Sequence, residues 1–405
     1  MWEQIRSNQV RSVMLIAVIA ALLLLVGYFL GLYFFQSGTG GLVIAFIVWA
    51  IMSLIAYFQG DSILLSIAGA KKIGPDDAPR LYNVVEEMKI ASGLEKMPDI
   101  YIIDDPALNA FATGRDPSRA SVAITSGLLQ KLNRDELQGV IGHEMSHIKN
   151  RDVLLMAITS VMLGTIVMLS WYASRFFIFG GATGGRRSSR NNGGGAQAVI
   201  LIVGLVLMIL APILAQLIYY AISRKREYLA DASSALYTRY PEGLASALEK
   251  LAASTAPLKT ANQATAPMYI INPLHKEGMK AADLTSTHPP ISERIRILRA
   301  MAGGAALNDY ENAYRQVRSA GQGIFSKAAV AGVGAVGIRQ ASLSEPGEMA
   351  AVSEKSARTR EVSDMMLRLN KYRTVDCECG ARWKIPPGFR DESILCTRCG
   401  RKIKV

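Results

Sequence analysis

The run His143-Glu144-Met145-Ser146-His147 sets two imidazoles four residues apart. On a helix that spacing puts both on one face, one turn apart, where they can grip a single metal ion. Zinc is the expected ion. It would lower the pKa of a neighbouring water towards about 7. Glu144 could then take the proton as that water attacks a peptide carbonyl, and return it to the leaving amine. Chance spacing on a solvated helix is the competing reading. Against it, only four His occur in the chain, and two of them are here. The flanking Leu137, Val140, Ile141 and Ile148 are also apolar, and burying an unpartnered Glu144 among them would be costly.

A catalytic zinc needs a third protein ligand and an open position. In Arg226-Glu227-Tyr228-Leu229-Ala230-Asp231 two carboxylates are again four apart. One face of a second helix can therefore offer a ligand and, a turn away, an acceptor for the free ring N–H of a bound His. Glu227 and Asp231 are the candidates. A second metal set stands at the other end of the chain, where Cys377 and Cys379 precede Gly380, and Cys396 and Cys399 precede Gly400. Four thiolates in two close pairs predict a closed structural zinc site, a small ribbon, although the one-residue gap of the first pair is unusual.

These residues need elements to hold them. Asn133 and Glu136 form a capping-box pattern that starts the helix of His143 and His147. Leu81, Val84, Val85 and Met88 predict an amphipathic helix over residues 77–94, and residues 99–103 and 121–125 read as strands. Half of the chain is hydrophobic, and much of that lies in four uncharged runs at residues 13–35, 42–58, 153–173 and 198–222. The runs approach or exceed the roughly 20 residues that cross a bilayer. They predict two pairs of transmembrane or membrane-embedded helices. The first run is too long for a cleavable signal.

Arg6 and Arg11 before the first run, and Lys71 and Lys72 after the second, place the N-terminus, the catalytic domain and the C-terminus in the cytoplasm. Residues 174–197 oppose this, because Arg175, Arg186, Arg187 and Arg190 would lie outside. Either that loop escapes the rule or the second pair is a hairpin that does not fully cross. Disorder over most of the chain and a disulfide scaffold are excluded by the apolar content and the four Cys. The net charge of +12 suits basic residues beside anionic lipid, and nucleic acid is not an expected partner.

The expected fold is mainly α with a small β-sheet, an α+β zincin-like metalloprotease. Residues 1–60 form the first helix pair, 61–152 and 223–303 the interrupted protease domain, and 153–222 the second pair. Residues 304–370 are expected as a flexible linker and 371–405 as the ribbon, which could capture substrates or a partner protein.

Four ordered motifs then resemble a known family. They are Asn109-Ala110-Phe111-Ala112-Thr113-Gly114, the His143–His147 run, the Glu227–Asp231 run, and Thr287-His288-Pro289-Pro290-Ile291-Ser292-Glu293-Arg294-Ile295. Over about residues 1–300 the chain resembles the HtpX branch of the membrane zinc metalloproteases related to CAAX prenyl endopeptidases. The resemblance implies that Glu227 is the third ligand of the catalytic zinc, that Asn109, Ala110, Phe111 and Ala112 line the substrate cleft, and that His288 steadies the tetrahedral intermediate. It implies a bacterial inner-membrane, multi-pass protease that degrades membrane or misfolded proteins at the cytoplasmic face. The four-cysteine module lies outside the resemblance. A non-catalytic adaptor that binds through the ribbon is the alternative, and the intact Glu144 speaks against it.

Overall fold

The computed structural model describes residues 2–154, 156, 166, 210, 213, 224–261, 266–273, 288–301, 303–318, 323–325, 334–342 and 348–405. The chain starts with helices α1 (Trp2–Phe35) and α2 (Gly38–Ile67). Between them Gln36 takes φ 52° and Ser37 caps α2 by accepting from the Gly40 N–H. The two helices approach so closely that a methyl group on Gly41 would lie 2.2 Å from the Gly27 carbonyl oxygen. Small residues at such a seam let backbones touch where lipid supplies no hydrophobic drive. Val43, Ile47, Leu54 and Phe58 project outward, exposed.

Among the described residues α2 is the one helix long and apolar enough to cross a membrane, and the apolar part of α1, Ile16–Leu32, is shorter. Of the two spanning pairs expected, the described residues thus supply one helix of sufficient length and apolarity, paired with α1 in a helical hairpin. The expected second pair falls almost entirely, and the Arg-rich loop 174–197 wholly, outside the described residues.

After α2 the chain builds a sheet from β1 (Ala70–Lys72), β2 (Asp99–Ile103), β3 (Ala110–Gly114) and β4 (Ala120–Thr125), in the order β1-β2-β4-β3. β2 and β4 are parallel, while β1 and β3 are antiparallel to their neighbours. Alternate residues point to opposite faces. Ile100, Ile102, Val122 and Ile124 join α3 (Pro79–Ser92) and α5 (Arg134–Lys149) in the main core. Ile103, Phe111 and Ala123 meet Leu64 and Leu65 of α2 in a second core. The apolar α2 is therefore fused to the sheet that flanks α5. The short α4 (Ser126–Lys131) links β4 to α5.

The remaining helices are α6 (224–238), α7 (Pro241–Ala252), α8 (Ile291–Arg299), α9 (Leu307–Arg318) and α10 (Glu348–Leu369). The last two correct the expectation of a flexible linker over 304–370. Leu307, Tyr310, Ala313 and Tyr314 of α9, and Val362 and Met365 of α10, belong to the main core. Between these helices Arg339 pins residues 334–342 by donating to Asp135 and Gln138, each at 2.7 Å. The apolar residues lie at helical spacing within a charged, Ala- and Gly-rich background, which hid them from a composition-based reading. Two hairpins end the chain, β5 (Arg373–Asp376) with β6 (Arg382–Ile385) and β7 (Ser393–Leu395) with β8 (Lys402–Lys404). The whole is mainly helical with small sheets, as expected.

Candidate metal centre

The capping box on α5 forms as its sequence predicts. The Asn133 side chain accepts from the Glu136 N–H at 2.9 Å, and the Glu136 carboxylate accepts from the Asn133 N–H at 2.8 Å. From there α5 runs buried on nearly every side. A methyl group on Gly139 would lie 2.6 Å from the Leu244 nitrogen of α7, and one on Gly142 would lie 3.1 Å from the Ser234 hydroxyl of α6. Those two glycines let neighbouring helices close on the one that carries the histidines.

At that junction three donors meet. His143 Nε2 and His147 Nε2 are 3.3 Å apart. Glu227 brings Oε2 to 3.6 Å from the first and Oε1 to 3.4 Å from the second. Zinc bonds of 2.0–2.1 Å at tetrahedral angles place ligand atoms about 3.3 Å from one another. The triangle fits such an ion, and its donor set of two imidazoles and a carboxylate suits zinc.

Each ring's other nitrogen is also held. His143 Nδ1 is 3.0 Å from Asp231 Oδ1, and His147 Nδ1 is 3.3 Å from Asp152 Oδ2. These carboxylates fix the tautomers that present Nε2 to a metal. Asp231 is gripped in turn by Arg294, at 2.8 Å through Nε and 2.7 Å through Nη2. The Arg294 guanidinium is fully buried, donates to the Ile270 carbonyl at 3.1 Å and lies 3.6 Å from Glu227.

The sequence reading missed Asp152 and Arg294. A signal for Arg294 existed: it lies three and four residues before the buried Ile297 and Leu298, on the apolar side of α8. Asp152 had none, because a spacing of five from His147 is not one helical face. It reaches the ring because α5 ends at Lys149, capped by Asn150, and Arg151 adopts φ 59°.

The electrostatics suit a cation. Burial alone would raise the Glu227 carboxyl, but His288, His143 and His147 outweigh it and hold it well below the usual carboxylate range. Burial likewise opposes charge on Asp231, and Arg294 reverses it, so that pKa is lowered too. Burial should depress His147, yet its bonds to Asp152 and Glu227 push it up to about 10. A field that holds protons on these rings also draws a divalent ion, which competes for the same lone pairs.

Glu144, 1% exposed, is raised above the ordinary range by burial, against the lowering pull of His143 and His147. Its carboxylate takes a hydrogen bond from the Ala112 backbone. His288 is buried, with Nδ1 2.8 Å from Glu227 Oε2.

The four cleft candidates separate. Ala112 meets Glu144, and the Ala110 carbonyl accepts from the Ile270 N–H at 3.0 Å. Asn109 donates through Nδ2 to the Ile271 carbonyl at 2.9 Å. Phe111 turns to the other face and meets Tyr269 edge-on, with ring centroids 5.1 Å apart.

In the C-terminal hairpins the four cysteine sulfurs lie within 4.8 Å of one another. Cys377 and Cys399 are 3.6 Å apart, as are Cys379 and Cys396. These separations far exceed the roughly 2.05 Å of a disulfide and approach the spacing set by zinc–sulfur bonds of about 2.3 Å. Gly380 (φ 80°) and Gly400 (φ 71°) make the left-handed turns that fold each pair inward.

Residues 75–302 match the profile of peptidase family M48. Over 300 residues the chain is 47% identical to a protein named Protease HtpX homolog from Dictyoglomus turgidum, covering 74% of this chain and 94% of that one. A protein of the same name from Streptococcus pneumoniae is 46% identical over 301 residues, covering 74% of this chain and all of its own length. The crystal structure of S. mikatae Ste24p covers 73% of this chain and 66% of its own, at 20% identity and a TM-score of 0.37, too distant to carry an argument. With a family profile over more than half of the chain and relatives matched along most of it, the chain belongs to peptidase family M48, a metalloprotease of HtpX type.

Proposed function

We propose that this metalloprotease is a zinc endopeptidase held at a bacterial inner membrane, cutting membrane or misfolded polypeptides on the cytoplasmic face as protein quality control. His143, His147 and Glu227 would hold the ion. When bound, zinc would acidify a water and polarise the scissile carbonyl. Glu144 takes the proton of the attacking water. Burial raises its basicity, the direction in which a general base is tuned. His288, whose Nδ1 lies 2.8 Å from Glu227, would donate to a developing oxyanion. Asp231 and Asp152 keep the two rings turned to the ion.

Substrate would pair with β3. Register alternates along an antiparallel strand, and Asn109 is tied to Thr125, so Ala110 and Ala112 turn their backbone groups away from β4. Ile270 occupies Ala110, which leaves the strand beyond it for an extended peptide. Ala112→Pro is expected to raise KM through that pairing and lower kcat through Glu144, with zinc content unchanged. Unaltered kinetics would remove β3 from the cleft.

The membrane reading rests on α2 and its exposed apolar side chains. The arrangement of basic residues around the apolar runs supports a cytoplasmic catalytic domain. A second, structural zinc in the cysteine cluster is supported by the sulfur separations, and the ribbon around it is the proposed surface for substrate capture or a partner protein.

The carrying observation is the buried Glu144 beside the three-donor triangle. Glu144→Gln is expected to keep both zinc ions and lose about 10³-fold in kcat on casein in detergent. Equal turnover by the two proteins would overturn the protease reading.

A further inference from the structure

The family profile stops at residue 302, yet α9 beyond it is built against the helices of the metal centre. Tyr314 is buried and meets Tyr228 of α6 edge-on, with ring centroids 5.1 Å apart. The Tyr228 hydroxyl donates to Glu293 of α8. Arg318 lies 3.4 Å from that carboxylate and donates to the Tyr314 hydroxyl at 3.1 Å. The result is a closed group of two aromatic rings, a carboxylate and a guanidinium that joins α6, α8 and α9. Two of its members adjoin residues of the metal site in sequence. Tyr228 follows Glu227, and Glu293 precedes Arg294, which holds Asp231.

Successive side chains on a helix diverge by about 100°. Glu227 therefore points to the histidines while Tyr228 points to α9, and whatever fixes one fixes the other. A helix with its side chains has a radius of about 5–6 Å, so turning α6 by roughly 20° would sweep the Glu227 carboxylate through about 2 Å. Productive sites tolerate only about 0.5 Å. The rotation of α6 about its own axis is thus the coordinate on which the third donor depends, and the aromatic grip resists that rotation.

We propose that Tyr314 and Arg318 are positioning residues for Glu227, acting through Tyr228 and Glu293. This rests on the metal reading above. The part of the chain that follows the matched profile then helps to assemble the catalytic metal site.

The test is zinc release from the full-length protein in detergent into a chromophoric chelator. Wild type is expected to release zinc in two phases, and His147→Ala to abolish the one belonging to the catalytic ion. Tyr314→Ala is expected to speed that phase about tenfold and leave the cysteine-held phase unchanged. Tyr314→Phe, which keeps the ring, should restore the slow rate. If Tyr314→Ala does not fold, Arg318→Ala carries the test, because its side chain is half exposed and its removal leaves the core intact. Wild-type release rates in Tyr314→Ala and Arg318→Ala, or equal acceleration of both phases, would overturn the inference alone. A wild type with no phase sensitive to His147→Ala would overturn the metal reading and this inference with it.

Discussion

Arg294 and Asp231 show how a charge becomes tolerable at zero exposure. The guanidinium makes two bonds to one carboxylate, a third to the Ile270 carbonyl, and lies beside Glu227. Removing one partner strands the other, a change that typically costs about 3–5 kcal/mol. Arg294→Met is therefore expected to unfold the metal-free protein at markedly lower denaturant than wild type. Asp231→Asn should fold more nearly as wild type but bind zinc about 10–100-fold more weakly, since its amide cannot hold the His143 N–H as a carboxylate does. Competition with a chelator reads that loss. An affinity unchanged in Asp231→Asn would mean that His143 is oriented by packing alone.

At the level of elements the seams around α5 decide stability. Ala is a better helix former than Gly by about 1 kcal/mol, so Gly139→Ala would stabilise an isolated helix. Here the added methyl would meet the Leu244 backbone nitrogen at 2.6 Å, and backbone cannot swing aside. Overpacking of this kind costs about 1–3 kcal/mol and should win. The expected outcome in denaturant unfolding is a destabilised variant; a stabilised one would mean that α7 shifts freely.

The strap at 334–342 carries a pH signature. Burial would raise the Asp135 pKa, but bonds from Ser342 and Arg339 outweigh it and hold it below the usual value. A lowered carboxyl pKa stabilises fully above its unfolded value of about 3.9 and loses that contribution as pH falls through the folded value. The stability gap between wild type and Asp135→Asn should stay constant above about pH 5 and close below it. Thermal unfolding from pH 3 to pH 7 checks this, and a gap that widens in acid would contradict it.

Across the whole molecule, the sheet meets the apolar α2 on one face, and the C-terminal helices α9 and α10 pack into the main core. α10 places Val362 and Met365 in the main core, and Arg368 donates to the Asp77 carbonyl at the start of the domain. The cysteine hairpins follow α10 without joining that hydrophobic cluster beyond it. Deleting residues 371–405 is thus expected to leave unfolding of the domain nearly unchanged. Deleting 348–405 strips two buried side chains from the core and should cost several kcal/mol, at roughly 2–5 each. Equal stability of the two truncations would show α10 to be dispensable.

Local pattern and tertiary assembly divided the outcome cleanly. Much that is encoded in one helix or one turn was legible in the residues: the His143–His147 face, the Asn133–Glu136 cap, the amphipathic face of α3, the apolar α2 and the paired cysteines. Spacing alone also brought Glu227 and Asp231 forward, because helical periodicity is a property of neighbours in the chain. The tertiary structure decided which of them faces the two Nε2 atoms and which faces Nδ1. It alone recruited Asp152 through the left-handed Arg151, buried Arg294 between two carboxylates, and turned Phe111 away from the metal. It also folded residues expected as linker into α9 and α10. Periodicity tells which side of an element is apolar, but the partner for that side comes from distant parts of the chain, and only the packed molecule chooses it.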